Sequence, residues 1–175
     1  MNAIIFLVDT LLSLALFAVL ARLLLQRARA DFRNPLAQAV VKITNPLILP
    51  LRRLLPPIGK IDTASVVAVV LVAIIKRGIL FALTGYGTPA LEVWLLAVAV
   101  ELVQAILNIY FYAILLYALL SLIAPAGYSP LQSLLASLCE PILAPFRRLI
   151  PPIAGIDLSP LWVMIAIQVI LRLLP

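Results

Sequence analysis

The chain has 175 residues, of which 65% are hydrophobic and 11% charged, and its net charge is +6. Soluble domains are usually about 25% charged, so this composition excludes an ordinary water-exposed surface and indicates a membrane protein. With no histidine and one cysteine, Cys139, the chain cannot form an intramolecular disulfide, a Cys/His metal site or a histidine acid–base centre. We interpret Cys139 as a small packing residue. We find no catalytic, cofactor-binding or metal-binding motif and expect a non-enzymatic protein.

Four apolar segments follow one another along the chain and predict an all-α membrane protein with four transmembrane helices. They cover residues 4–25, 64–83, 93–123 and 161–174. The first segment, at about 1.5 Å per residue, is long enough to cross a hydrocarbon core of about 30 Å. Because it lacks a basic leader and contains Asp9, we expect a span rather than a cleaved signal. The third is long for one span, and the fourth is short.

Lysine and arginine residues are concentrated in two of the connections between these segments. The two connections hold Arg27, Arg29, Arg33, Lys42, Arg52, Arg53 and Lys60, and Arg147 and Arg148. Cytoplasmic loops of membrane proteins carry such an excess. We therefore predict that both connections are cytoplasmic and that both termini lie outside.

The chain contains an internal repeat with an offset of 95 residues. Segment 46–62 aligns without a gap to segment 141–157, with ten of 17 positions identical. The matched motif residues are Pro46, Pro50, Arg52, Arg53, Pro56, Pro57 and Asp62 in the first copy, and Pro141, Pro145, Arg147, Arg148, Pro151, Pro152 and Asp157 in the second. We predict two parallel two-span repeats, 1–88 and 89–175, that form one compact membrane domain.

Each connection begins with a helix-start signal, Asn34 or Ser129 followed by proline. The helix that follows is predicted to be amphipathic. Its apolar face in the second copy consists of Leu131, Leu134, Leu135 and Leu138, and the weaker face in the first copy contains Leu36, Val40 and Ile43. Asn45 with Pro46 is predicted to begin a second short helix bearing Leu47, Leu51 and Leu54.

The double prolines that follow are predicted to end this second helix. Asp62 and Asp157 then precede the next span, where a carboxylate can cap the first amides. Two interpretations of the connections stay open. The helices lie in the cytoplasmic interface with their arginines toward lipid phosphate, or they enter the membrane as re-entrant half-helices that line a cavity.

The doubled motif between apolar spans resembles the YGGT family of small integral membrane proteins, called YlmG in some lineages. The resemblance covers nearly the whole chain, although Glu140 replaces Asn45 and Ala154 replaces Gly59 in the second copy. It implies a bacterial inner-membrane or plastid-membrane protein with no established enzymatic activity. It also implies a connection with cell division and nucleoid distribution, with osmotic or ion stress, or with cytochrome maturation in plastids.

Five charged residues lie within or at the edges of the apolar segments: Asp9, Lys76, Arg77, Glu101 and Arg172. Each charge at mid-bilayer costs about 2.5–3.5 kcal/mol on insertion scales. We predict that the two acids approach the three basic residues and tie the spans together. One interpretation is a structural cluster that fixes the register of the spans, and the other is part of an ion or proton path.

The functional hypothesis favoured by these features is a scaffold or assembly factor whose basic loops bind anionic lipid headgroups and another membrane or division protein. The alternative is a small channel or transporter for osmotic or ion stress, which in a four-span chain would require a homo-oligomer. Direct nucleic-acid binding is disfavoured, because the paired arginines are embedded among leucines and prolines close to the membrane.

Overall fold

A computed structural model describes residues 3–58, 62–85, 90–123, 129–149 and 157–175. These residues form six helices. They are α1 (Ala3–Arg27), α2 (Pro35–Leu54), α3 (Thr63–Thr84), α4 (Leu91–Ile123), α5 (Pro130–Leu149) and α6 (Ser159–Leu173). The predicted all-α class is therefore confirmed for the described part of the chain. The motif residues Pro151 and Pro152, and the variable positions Gly59 and Ala154, lie outside it.

Three of the helices are long and apolar enough to cross a membrane. They are α1, α3 and α4, with 25, 22 and 33 residues. The fourth predicted segment forms α6, which is apolar but has only 15 residues. At about 1.5 Å per residue this helix is shorter than the hydrocarbon core. Three spans thus have the expected length, and the fourth stays a prediction.

Helices α2 and α5 have 20 residues each and begin and end at positions 95 residues apart, the offset of the repeat. The prediction that Asn45 and Pro46 begin a second short helix is wrong, because α2 continues through Pro46 and Pro50. An internal proline normally breaks a helix, since it lacks an N–H and crowds the carbonyl four residues earlier. Here Ile48, between the two prolines, is fully buried, as is the equivalent Leu143. This packing holds the helix together across the prolines.

The predicted helix starts are confirmed. The side chain of Asn34 accepts a hydrogen bond from the backbone N–H of Leu36 at 2.9 Å, and that of Ser129 accepts one from Gln132 at 3.1 Å. Asp157 likewise accepts a bond from the N–H of Ser159. At the equivalent position the prediction is wrong, since Asp62 makes no side-chain cap to α3.

The predicted apolar faces of the proline-containing helices are only partly buried. In α5, Leu135 and Leu138 are buried, together with Cys139 and Leu143, whereas Leu131 is exposed. In α2 the buried side chains are those of Ala37, Thr44 and Ile48. The residues predicted as its apolar face are largely exposed, including Leu36, Ile43, Leu47 and Leu54. These side chains point away from the protein, where lipid is the apolar medium available to them.

The chain packs as two compact units, Met1–Leu23 with Val40–Ala105, and Leu24–Ala39 with Ile106–Pro175. The first has Leu20, Ala68 and Ala73 in its core, and the second has Ala37, Ile114 and Leu143. Each unit contains segments of both sequence repeats. In the second, for example, Asn34 donates hydrogen bonds to the carbonyl oxygen of Pro130 and to Ser133 Oγ.

Candidate functional site: two arginine–carboxylate networks and an ion-pair cluster

The second copy of the motif forms a continuous chain of hydrogen bonds that begins on α4 and ends before α6. Tyr117 Oη donates to Glu140 Oε1 at 2.8 Å, and Arg147 Nη1 donates to both carboxylate oxygens of Glu140 at 2.8 and 2.7 Å. Arg147 Nε also donates to Asp157 at 2.6 Å. One arginine on α5 therefore binds two carboxylates, and the second of them precedes the following helix.

The electrostatics of this network follow from the same contacts. Burial acts to lower the pKa of Arg147, but its hydrogen bonds to Glu140, Asp157 and Tyr117 outweigh burial and raise the pKa. Burial likewise acts to raise the pKa of Asp157. Hydrogen bonds from Ser159 and Arg147 outweigh it and lower that pKa. The ion pair between Arg147 and Asp157 is therefore formed at neutral pH.

The first copy contains the equivalent ion pair with different surroundings. Arg52 Nη2 lies 2.5 Å from Asp62 Oδ2, and the same oxygen accepts a hydrogen bond from Ser65 Oγ at 2.7 Å. The motif pairs Arg52 with Asp62 and Arg147 with Asp157 thus join each proline-containing helix to the beginning of the next helix. The side chain of Arg52 is 42% exposed.

A third arginine of the first copy, Arg22, was not predicted as a site residue. Arg22 on α1 is 2% exposed. Its Nη1 donates to Thr44 Oγ1 at 2.8 Å and to Asn45 Oδ1 at 2.9 Å. Its Nε is buried and has no hydrogen-bond partner among the described residues. The segment of 22 residues contains only two charges, Asp9 and Arg22, and its span signal stays intact, so hydropathy alone does not reveal the role of Arg22.

The offset of 95 residues aligns the two networks position by position. The equivalent pairs are Arg22 and Tyr117, Asn45 and Glu140, Arg52 and Arg147, and Asp62 and Asp157. The first network therefore contains two arginines and one carboxylate, and the second contains one arginine and two carboxylates. Formal charges are +1 and −1 respectively. The differences in charge between aligned positions of the two copies are the signal that could have identified Arg22, Tyr117 and Glu140 as site residues.

The other motif residues are at the surface. Arg53 and Arg148 are exposed, and neither forms an ion pair with another described residue. The described motif prolines are exposed as well: Pro46, Pro50, Pro56, Pro57, Pro141 and Pro145. In each pair of adjacent arginines the first forms an ion pair with an aspartate of the protein, and the second forms no ion pair with a described residue.

Four of the five predicted intramembrane charges come together in the first unit. Lys76 Nζ lies 2.5 Å from Glu101 Oε1 and 3.2 Å from Asp9 Oδ1. Lys76 and Glu101 are both 8% exposed. Arg77 Nε lies 3.2 Å from Glu101 Oε2. This is ion-pair distance without hydrogen-bond geometry, since both atoms lack a hydrogen-bond partner.

The cluster links three helices, because Asp9 is on α1, Lys76 and Arg77 are on α3, and Glu101 is on α4. Arg77 also donates to the backbone carbonyl oxygen of Ala97. The four charges sum to zero and line a groove of about 380 Å³ together with Ile5, Leu80, Phe81 and Thr84. In this arrangement the charges of three helices are paired with one another.

Arg172, the fifth predicted charge, is in the second unit. It is exposed, and it lines a groove of about 440 Å³ whose other walls are mainly apolar, among them Phe111, Leu115 and Met164. Among the described residues it forms no ion pair.

Cys139 is completely buried, in agreement with its interpretation as a packing residue. Burial raises the pKa of its thiol to about 12, and the nearby carboxylate of Glu140 acts in the same direction. The thiol is therefore protonated and weakly nucleophilic at neutral pH. Within the described ranges no group of three or more thiol or carboxylate residues is arranged to hold a metal ion.

Comparison with known proteins gives a consistent result. A family profile described as CCB3/YggT matches residues 1–83 and 96–175. Protein PA0392 of Pseudomonas aeruginosa is 41% identical over 170 residues, which cover 97% of this chain and 86% of the relative. Protein YggT of Escherichia coli K12 is 36% identical over 170 residues, covering 97% and 88%. Both relatives are described as uncharacterized. No solved structure matches the chain significantly.

Proposed function

The chain belongs to the CCB3/YggT family, and from this premise we propose that it is a non-enzymatic scaffold or assembly factor of the bacterial inner membrane. In this proposal the chain spans the membrane four times, with both motif connections in the cytoplasm and both termini outside. Helices α2 and α5 lie in the cytoplasmic interface. There they contact anionic lipid headgroups and present one face to another membrane protein, such as a component of the division machinery.

The observation that carries the proposal is the way both proline-containing helices are fixed. Arg52 with Asp62, and Arg147 with Asp157, join the end of α2 or α5 to the beginning of the next helix. The adjacent arginine stays exposed in each case. Each of these two equivalent helices is held by an ion pair, while its outer face remains exposed. Such a helix suits a binding surface, because little conformational entropy is lost when a partner binds to it.

The composition of these outer faces supports a position in the membrane interface. On α2 most of the exposed apolar side chains lie on one side of the helix, namely those of Leu36, Ile43, Leu47 and Leu54. Lys42 and Arg53 lie on another side, together with the exposed Leu49. A helix of this kind places its apolar side at the acyl boundary and its basic side at lipid phosphates. Direct nucleic-acid binding is disfavoured for the same reason, because the lipid surface competes for these arginines.

The remaining polar groups support a structural role rather than catalysis. The charges of Asp9, Lys76, Arg77 and Glu101 neutralise one another. The single thiol is buried and protonated at neutral pH. The chain has no histidine. These features favour a protein that holds other components in place.

Topology can be tested by cysteine labelling, because the native Cys139 is shielded and should not react in the folded protein. Arg33→Cys lies in the first motif connection, and Ala90→Cys lies between α3 and α4. Both positions are exposed. In intact spheroplasts a membrane-impermeant maleimide should label Ala90→Cys, and it should label Arg33→Cys only after lysis. Labelling of Arg33→Cys from outside would reverse the topology.

The scaffold role can be tested by photocrosslinking in cells. A photoreactive residue at Leu47 or Leu54, on the exposed face of α2, should give a protein adduct of one defined mass. The same residue at Leu11 or Leu14, on the exposed face of α1, is the matched control and should crosslink only to lipid. The proposal fails if α2 gives no protein adduct or the same adducts as α1.

A further inference from the structure

The second network contains an anionic group that the first network lacks. The carboxylate of Glu140 accepts hydrogen bonds from Tyr117 and from Arg147, so it occupies the space between the long helix α4 and the arginine of the motif. At the equivalent position in the first copy stands Asn45, which is neutral and one methylene shorter. Its amide oxygen accepts a bond from Arg22.

The first network is correspondingly short of negative charge. Arg52 lies close enough to Arg22 to act on it as a like charge, and Asp62 is the nearby acid that opposes this effect. Arg22 is buried with its Nε unpartnered, and the side chain of Arg52 is partly open to the surroundings. The Nε donor of Arg22 is therefore unused, and an unpaired donor in a poorly hydrated site is unfavourable.

We propose that the first network binds one phosphate group between Arg22 and Arg52, at the position where the second network contains the Glu140 carboxylate. Guanidinium groups favour phosphate, because their planar forks donate two parallel hydrogen bonds to its oxygens. Arg52 would contact the phosphate directly from the open side. Arg22 would act from beneath through its charge and through the amide of Asn45. In this view Glu140 is the built-in counterpart of a bound anion.

The phosphate can come from a phospholipid headgroup or from free phosphate, and the site chemistry is the same. The lipid source rests on the proposed function, since it requires α2 to lie in the membrane interface. The site itself does not, because it is defined by residues of one compact unit. Failure of the topology or crosslinking experiments would therefore leave the phosphate site standing, and failure of the phosphate site would leave those experiments unaffected.

The test uses the full-length protein in detergent micelles, with native mass spectrometry to count bound phosphatidylglycerol and calorimetry to measure affinity. The wild type should bind one molecule of phosphatidylglycerol more tightly than any further molecules of this lipid. Asn45→Glu supplies the missing carboxylate and should weaken this binding at least about tenfold, or 1.4 kcal/mol. The reverse change, Glu140→Asn, should remove the built-in anion from the second copy and add binding capacity there.

An exposed arginine outside the proposed lipid-contacting helices supplies the control. Arg52→Gln should abolish the preferred site, whereas Arg172→Gln, at an exposed arginine of the second unit without an ion pair among the described residues, should retain it. Thermal unfolding of each variant shows that the protein is folded. If Asn45→Glu does not fold, the comparison of Arg52→Gln with Arg172→Gln decides alone. Equal binding by both of these variants, or by wild type and a folded Asn45→Glu variant, overturns the proposal.

Inorganic phosphate at millimolar concentration distinguishes the two sources. Displacement of phosphatidylglycerol by phosphate alone supports a free-anion site that lipid also occupies. Retention of the lipid under the same conditions supports a headgroup site that uses the acyl chains for additional contact. In either case the Asn45→Glu variant should lose the bound phosphatidylglycerol or phosphate. If neither probe binds to the wild type, the proposal is wrong.

Discussion

The two copies of the motif share sequence and helix boundaries but distribute charge in opposite ways. In the second copy one arginine, Arg147, is satisfied by two carboxylates. In the first copy two arginines, Arg22 and Arg52, have one carboxylate between them. The exchange of Asn45 for Glu140 and of Arg22 for Tyr117 reverses the sign of the network while leaving the Arg–Asp pair in place. Both copies therefore contain the ion pair that joins a proline-containing helix to the next helix, while the positions around it differ.

A second contrast separates the two compact units. In the first unit the apolar helix α3 contains Lys76 and Arg77, which are neutralised by Asp9 and Glu101. The positions 95 residues further on are Leu171 and Arg172, in the second unit, and only the arginine is charged. The cluster of the first unit therefore contains buried charges that depend on one another, whereas Arg172 of the second unit is at an exposed site. This difference predicts unequal responses to mutation.

The largest effect is expected at Glu101. Glu101→Gln should reduce the free energy of unfolding by about 3–5 kcal/mol, because it leaves the buried Lys76 and Arg77 without their main counter-charge. Arg172→Gln, at the exposed position, should change it by only about 0.5 kcal/mol. Unfolding in mixed detergent micelles measures both. The double variant Glu101→Gln with Lys76→Met should lose less than the sum of the single losses. Equal losses for Glu101→Gln and Arg172→Gln would remove this distinction between the two units.

A smaller difference in stability is expected between variants of the two motif arginines, Arg147 and Arg52. Arg147→Gln leaves two carboxylates without their shared partner, and we expect a loss of about 2 kcal/mol, since hydrogen bonds to charged groups contribute roughly 1.5–3 kcal/mol and partial exposure reduces this. Arg52→Gln removes one pair and also relieves repulsion with Arg22, so the loss should be below about 1 kcal/mol. The exposed neighbours, Arg148→Gln and Arg53→Gln, are the controls. If Arg52→Gln is the more damaging variant, the charge comparison is wrong.

The smallest effect is a pH dependence at Asp157. Its pKa is lowered in the folded protein because hydrogen bonds from Ser159 and Arg147 outweigh burial. A carboxyl group with a lowered folded pKa contributes stability above its unfolded pKa, about 3.9, and loses that contribution as pH falls through the folded value. The stability difference between wild type and Asp157→Asn should therefore be constant at neutral pH and vanish in acid. A difference that persists at acid pH would contradict the ion-pair explanation.

Much of the fold could be predicted because its signals are local. Apolar segments place α1, α3, α4 and α6 within a few residues, and the cap residues Asn34 and Ser129 mark where α2 and α5 begin. The continuity of α2 through Pro46 and Pro50 could not be predicted in this way. It depends on the burial of Ile48, which is a property of tertiary packing.

The candidate site was predicted unevenly for a related reason. Charges that interrupt an apolar segment are conspicuous, so Lys76, Arg77 and Glu101 were identified before their contacts were known. Arg22 was missed because it lies near the end of its span, three residues before the basic connection begins at about Leu25. Its partner Asn45 was interpreted as a helix-start residue, an interpretation that the continuous helix α2 contradicts. The hydrogen bond between Arg22 and Asn45 explains the presence of both residues, and this bond is a property of the tertiary structure.

The cluster around Lys76 has a consequence for how the protein is made. Helix α3 emerges from the ribosome with two positive charges, which together cost about 5–7 kcal/mol on insertion scales if they are central and unpaired. The acid that neutralises both, Glu101, is synthesised about 25 residues later, on α4. Only Asp9 is already in place on α1. We therefore expect α3 to enter the bilayer stably with α4 as a hairpin, and a chain truncated before Glu101 to leave α3 incompletely inserted at the translocon.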